Sequence, residues 1–306
     1  MVPNEIIDDI PVNQSLADHW VHSNVRPFYP ETKIRYLLVS NEVISSTGNK
    51  TWLNLVPAMR RIKKSLKAYR IRKVKVGTSI AMDVLASSYL PSVGKFRPDI
   101  AVMRPMLEFL NHTKSYLFLD VYPYFTWAAE PDHIDLNCTL FASHNITVTD
   151  PGTGLVYHNL FAQMVDTVIF ASSKLGYPDV RIWIAETGRP NAGDCDQRGA
   201  NIYNAAMYNR NAVGKLTTHL PRGTPAGPGP PLVHIRAVQR GPETRAGDRE
   251  AFQGAVPERD ERVRHRPERG DDGGGVREEA TAEAVEGRGV QWEDMVGGGG
   301  AGGGVK

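Results

Sequence analysis

Two glutamates stand where strongly apolar runs stop. Ile34-Arg35-Tyr36-Leu37-Leu38-Val39-Ser40-Asn41-Glu42-Val43 carries the first, and Val180-Arg181-Ile182-Trp183-Ile184-Ala185-Glu186-Thr187-Gly188 carries the second. A carboxylate at the carboxyl end of a buried parallel strand lies on the catalytic face of an α/β barrel. Two such carboxylates over one cleft are the minimum equipment for cleaving a glycosidic bond: one protonates the departing oxygen, the other attacks or activates water. Taken singly, Glu42 reads as well as a cap on the next helix, and Glu186, with Gly188 close behind, as a turn carboxylate. Their matching places at two strand ends are what favour chemistry.

Neighbouring residues extend the pattern. Asn41 supplies an amide beside Glu42, suited to a general acid in a desolvated pocket. Asp120-Val121-Tyr122-Pro123-Tyr124-Phe125-Thr126-Trp127 ends a third apolar run with a cluster of rings. Aromatic faces stack on the apolar faces of pyranoses, so Asp120, Tyr122, Tyr124 and Phe125 are candidate substrate contacts, with Tyr122 nearest the strand end. Some of these rings would equally serve as packing on a barrel rim. Asp150-Pro151-Gly152-Thr153-Gly154 reads as a turn, since no strand, helix and following lysine make it a phosphate cradle. The nine histidines show no metal-ligand spacing, so neither a metal nor another cofactor is expected.

The elements that must hold these residues alternate. Strand-like runs recur at Ile34 to Val39, Val74 to Ile80, Tyr116 to Val121 and Val180 to Ala185. Between them, Leu55, Met59, Ile62 and Leu66 repeat at helical spacing, as do Met103, Met106, Leu107 and Leu110, and Leu160, Met164, Val168 and Ile169. Arg60, Arg61, Lys63 and Lys64 fall on the outer face of the first helix. Strand alternating with helix predicts parallel βα units, of which about four can be counted against the eight of a closed barrel.

Composition sets the bounds. The chain of 306 residues is 41% hydrophobic with a net charge of +2, which gives no bulk electrostatic case for nucleic acid or membrane. Past Leu220 the character changes to Pro, Gly, Arg and Glu, with Phe252 and Trp292 the only aromatics, as in disordered segments. Arginines there interleave with acids, so no basic stripe for nucleic acid forms. Cys138 and Cys195 read as independent thiols. Asn-x-Ser/Thr triplets at Asn13, Asn49, Asn111, Asn137 and Asn145 point to secretion, while neither a signal peptide nor a membrane-length apolar run is read.

Together the motifs resemble the plant endo-β-1,3-glucanases of glycoside hydrolase family 17. The resemblance rests on Val2-Pro3-Asn4-Glu5, Ser40-Asn41-Glu42-Val43, Ser88-Tyr89-Leu90-Pro91-Ser92, Phe96-Arg97-Pro98-Asp99, Val121-Tyr122-Pro123-Tyr124-Phe125, the Asp150 turn and Glu186-Thr187-Gly188, in this order. It implies a (β/α)8 TIM barrel that hydrolyses internal β-1,3-glucosidic bonds with retention, Glu42 as acid/base and Glu186 as nucleophile, their carboxyls about 5 to 5.5 Å apart. It further implies a callose-like glucan partner, an extracellular or cell-wall setting and a monomer. The alternative is a non-catalytic glucan-binding remnant. The family usually has Gly at the position of Ser40, Asn at that of Asp120 and Trp at that of Arg189. A carboxylate at 120 would raise the pKa of a neighbouring glutamate, and Arg189 would bring a fixed positive charge to the cleft.

The same resemblance divides the chain into a barrel over residues 1–225, lacking its first strands and its last, and a disordered tail over 226–306. Val2-Pro3-Asn4-Glu5 is similar to the end of the family's third strand. Permitted codons for Val233 to Glu250, read one nucleotide later, give STYGPFNEDQRPGPVTE, similar to the family's eighth strand and carboxyl-terminal segment. The sequence is therefore expected to leave its frame between Ala226 and Leu232.

Overall fold

The computed structural model describes residues 1–45, 51–143 and 147–217. The tail over 226–306, with its expected change of frame, lies outside the described residues.

Four parallel strands form one sheet: β1 (Tyr36–Asn41), β2 (Lys75–Ile80), β3 (Tyr116–Asp120) and β4 (Arg181–Glu186), in the spatial order of the sequence. Tyr36 pairs with Lys75, Thr78 with Leu117 and Phe118 with Trp183. Val2 extends the sheet by a parallel bridge to Val39, its N–H donating to Leu38 O at 2.8 Å. Strand order that never reverses is the winding of a barrel wall; a doubly wound sheet would change direction at a switch point. The expected fold class, α/β with part of a (β/α)8 barrel, is therefore the one present.

Helices follow the strands on one side. α1 (Gln14–Asn24) precedes β1; α2 (Leu55–Ala68), α3 (Met103–Thr113) and α5 (Leu160–Lys174) connect successive strands; α4 (Pro123–Ala129) follows β3, and α6 (Ile202–Thr217) follows β4. α1 begins at Asn13, whose side chain accepts from the N–H groups of Ser15 and Leu16; α5 begins at Asn159, which accepts from Ala162 N–H. The spacing read from Leu55 to Leu66 is the buried stripe of α2, and each such side chain removed from water contributes about 1.5–3 kcal/mol before entropy is charged against it. These stripes meet Leu37, Val39, Val76, Ile80, Leu117, Leu119, Ile182 and Ile184 in one core.

The other sheet face is a separate layer of rings. Tyr116, Phe118 and Trp183 are buried there with Tyr36 against them. The Tyr36 ring lies 4.9 Å from Trp183 and 5.2 Å from Tyr116, centre to centre. Gly77 makes room for this layer: a Cβ on it would come within 2.6 Å of Phe118 Cε2. Pairing places β1 two residues later than the apolar run indicated, because its partner β2 starts at Lys75 and meets it at Tyr36. The Asp150 turn is more than a reversal, since its buried carboxylate accepts from Ser92 N–H and hydroxyl, both at 2.6 Å, and from Gly152 N–H.

Candidate active site

At the carboxyl end of the sheet, β1 leaves its extended path abruptly. Ser40 and Glu42 take φ of +67° and +47°, the left-handed region that L side chains rarely occupy. The turn is held from both sides. Asn4 donates from Nδ2 to Asn41 O and accepts from Asn41 N–H, both at 2.8 Å. Ser79 on β2 donates to Asn41 Oδ1 at 2.8 Å, which leaves Nδ2 as the remaining donor of that amide. Ser40 meets the Thr78 hydroxyl at 3.1 Å. Glu42 is thereby fixed at a rigid corner, 9% exposed.

β4 ends in an equally braced corner. Val121 N–H donates to Glu186 O at 2.9 Å, and Thr187 Oγ1 donates to Val121 O at 2.6 Å while also meeting the hydroxyl of Tyr208 on α6. Asp120 on β3 pairs in register with Glu186 after a local irregularity in the ladder.

Tyr122 joins the two corners. Its hydroxyl donates to Glu186 Oε2 at 2.8 Å. Burial first, then the charge of Glu186 and the bond to it, then the charges of Asp120 and Glu42, drive its pKa far above the ordinary tyrosine value. The phenol therefore stays protonated and serves as a donor in a field made by three carboxylates.

Not every expected contact faces the cleft. Phe125 is exposed at 48% and Tyr122 is half-buried, but Tyr124 is 5% exposed and Trp127 4%. The expectation that Tyr124 stacks on a sugar is corrected: α4 turns it and Trp127 into the packing, where the Arg189 guanidinium lies 4.9 Å and 5.0 Å from their ring centres. Asp120, expected as a substrate contact, is 1% exposed and reaches the site through its charge. Arg189 likewise brings no charge to an open cleft. It is buried, donating to Thr139 Oγ1 at 3.1 Å and Gly199 O at 3.3 Å, and desolvation lowers its pKa to about 10.

Asn4, Ser79, Thr187 and Tyr208 were not singled out from the sequence. Asn4 and Thr187 lie inside motifs that were quoted; Ser79 and Tyr208 carry no local signal. Among the described residues no three His, Cys, Asp or Glu side chains converge as a metal site. No described helix is long and apolar enough to cross a membrane. Cys138 is a buried free thiol and Cys195 an exposed one.

A singly wound parallel wall with carboxylates at its strand ends is the arrangement of a (β/α)8-barrel enzyme. The model for Glycosyl hydrolases family 17 matches residues 1–235, and the chain belongs to that family. It is 52% identical over 233 residues to a probable glucan endo-1,3-beta-glucosidase A6 of Arabidopsis thaliana, covering 76% of this chain and 48% of that protein. It is 38% identical over 235 residues to glucan endo-1,3-beta-glucosidase GI of Hordeum vulgare, covering 77% and 72%. Its fold is similar to that of CJP38, a beta-1,3-glucanase and allergen of Cryptomeria japonica pollen, with a TM-score of 0.69, 36% identity and coverage of 79% and 75%. The chain spans about half the length of the Arabidopsis relative.

Proposed function

We propose that the protein hydrolyses internal β-1,3-glucosidic bonds of a callose-like glucan with retention of configuration. Glu186 attacks the anomeric carbon while Glu42 protonates the departing oxygen; water, deprotonated by Glu42, then releases the glycosyl group from Glu186. The observation that carries this reading is the Tyr122 hydroxyl, which bonds Glu186 and feels the charges of Asp120 and Glu42 as well. Phe125 offers an exposed ring for a sugar face, and Asn41 a braced amide beside the acid. The family resemblance supports a monomer acting in the plant cell wall, and residues 1–225 as its hydrolase unit.

Release of reducing sugar from laminarin by the full chain tests the proposal. Release that vanishes in Glu186→Gln supports it. Laminarin binding with no Glu186-dependent release would instead support a glucan-binding protein without catalysis.

A further inference from the structure

Residues 60–75 carry nine lysines and arginines and no acid, in a chain whose net charge is only +2. The fold gathers five of them, while Arg61 turns to Pro11 and Gln14 beside α1. Arg60, Lys63, Lys64 and Lys67 of α2, with Arg72 before β2 and Lys114 before β3, line one open groove of about 1350 Å³ between α2 and α3. Its floor is apolar, with Ile71 and Val74 buried at its base. The groove lies at the amino-terminal end of the strands, opposite the carboxylates, where barrel enzymes do not place their catalytic groups.

Neutralisation by the described residues is meagre. Glu108 is the carboxylate on the α3 bank, and Asp18 on α1 bears on Lys64 from the far side of α2. Lys63 is pressed by its own burial and by the neighbouring charge of Lys75, both of which lower its pKa. A row of like charges along a groove, with few anions among the described residues, is stabilised by a polyanion laid along it.

We propose that this groove is a second polysaccharide site, taking an acidic polymer of uronic acid residues rather than the neutral glucan. A uronate chain offers one carboxylate per sugar to the basic banks and apolar ring faces to the floor, which matches both halves of the lining. A lipid surface fits less well, because among the described residues no large exposed apolar side chain lines the groove, and interfacial binding needs such side chains to insert. Single-stranded nucleic acid would need a run of open aromatic faces, whereas Phe109 in the lining is buried and Tyr177 half-buried. The choice of a wall polymer rests on the glucanase reading; the groove and its charge do not. Such a site would hold the enzyme in an acidic matrix while the opposite end of the barrel works on glucan.

The test is affinity electrophoresis of the full chain in gels containing polygalacturonate, methyl-esterified polygalacturonate or laminarin, with anionic vesicles and single-stranded DNA assayed in solution. Retardation by polygalacturonate and not by its ester is expected. It should disappear as salt shortens the screening length from about 30 to about 8 Å. Joint replacement of Lys63, Lys64, Lys67 and Arg72 by Gln should weaken it roughly tenfold or more, with laminarin hydrolysis unchanged. Should that variant fail to fold by circular dichroism, Lys64→Glu with Lys67→Glu, both on the exposed bank, replaces it. Equal retardation by the ester, no retardation of the wild type, unchanged retardation of the folded variant, or tighter binding to vesicles or DNA would each overturn the proposal. Loss of laminarin hydrolysis with polygalacturonate binding intact would count against the glucanase reading and leave the groove standing.

Discussion

The hydroxyl of Tyr122 donates to Glu186 Oε2 at 2.8 Å, and the two residues sit on adjacent, mutually braced strand ends. That bond fixes one carboxylate oxygen of Glu186. A hydrogen bond to a charged group is worth about 1.5–3 kcal/mol. Tyr122→Phe should therefore lower kcat on laminarin by about 10- to 100-fold while the melting temperature stays close to that of the wild type. Steady-state kinetics beside a thermal melt check this. An unchanged kcat would remove Tyr122 from the mechanism.

The two glutamates should fail in different ways. Glu42→Gln withdraws the proton from the leaving oxygen, a loss of about 10²–10⁴-fold on laminarin. A substrate with an already acidic leaving group needs no such proton, so its first step should be nearly spared. Glu186→Gln should lose both substrates alike. Pre-steady-state bursts with an activated aryl glucoside separate the cases; identical losses with both variants would mean the roles are not divided this way.

Arg189 is bound by stacking and by the geometry of its fork rather than by an opposing carboxylate among the described residues. Lysine keeps the charge but cannot lie flat between Tyr124 and Trp127 or serve Thr139 and Gly199 together. Arg189→Lys should cost about 2 kcal/mol, since it leaves a buried ammonium with poorer partners, or a fall of several degrees in melting temperature. A variant as stable as the wild type would show that the stack contributes little.

The inner ring layer depends on one missing side chain. At Gly77 a Cβ would fall 2.6 Å from Phe118 Cε2 and 2.8 Å from Tyr116 O, one a ring atom and the other backbone. Neither can move far, because Phe118 packs with Tyr36 and Tyr116 O belongs to β3. Gly77→Ala should destabilise the fold by about 1–3 kcal/mol, read as a shift in urea midpoint. Equal midpoints would mean the layer is looser than its geometry.

Much of this was legible because barrel strands end in chemistry. The apolar runs predicted β1 to β4, and the helical spacings at Leu55, Met103 and Leu160 predicted the faces that α2, α3 and α5 bury. For Tyr124 the packing reading of the ring cluster holds, and a helix-start signal pointed to it. Pro123 stands at the first position of α4, a helix-start signal, and residues three apart on a helix share a face. That face turns inward. Arg189 was expected in the cleft, and its burial had no local signal because its cage is assembled from α4, the Gly199 turn and the helical turn Leu136–Thr139, distant in sequence. Tyr208 on α6 could not be found locally for the same reason.

The buried phenols set the behaviour of the fold at high pH. Tyr122 and Tyr208 have pKa values raised above the usual 10.0, each chiefly by burial, and burial raises Tyr36 and Tyr89 in the same direction. A tyrosine that holds its proton more firmly when folded contributes fully below the unfolded pKa, and that contribution is lost as pH climbs from there toward the folded value. Arg189 opposes this. Its pKa is lowered from 12.5 to about 10, so the folded state bears the cost of its charge below about 10 and sheds it above. The arginine cancels one tyrosine, so Tyr122 and Tyr208 leave a decline of about 1.4 kcal/mol per pH unit above pH about 10, which Tyr36 and Tyr89 steepen. Urea unfolding at pH 9, 10 and 11 should show stability level across the first interval and falling across the second. Tyr122→Phe should make the fall shallower, because it removes one buried proton from the balance. A decline that begins below pH 9, or one that the substitution leaves untouched, would assign the alkaline instability to other groups.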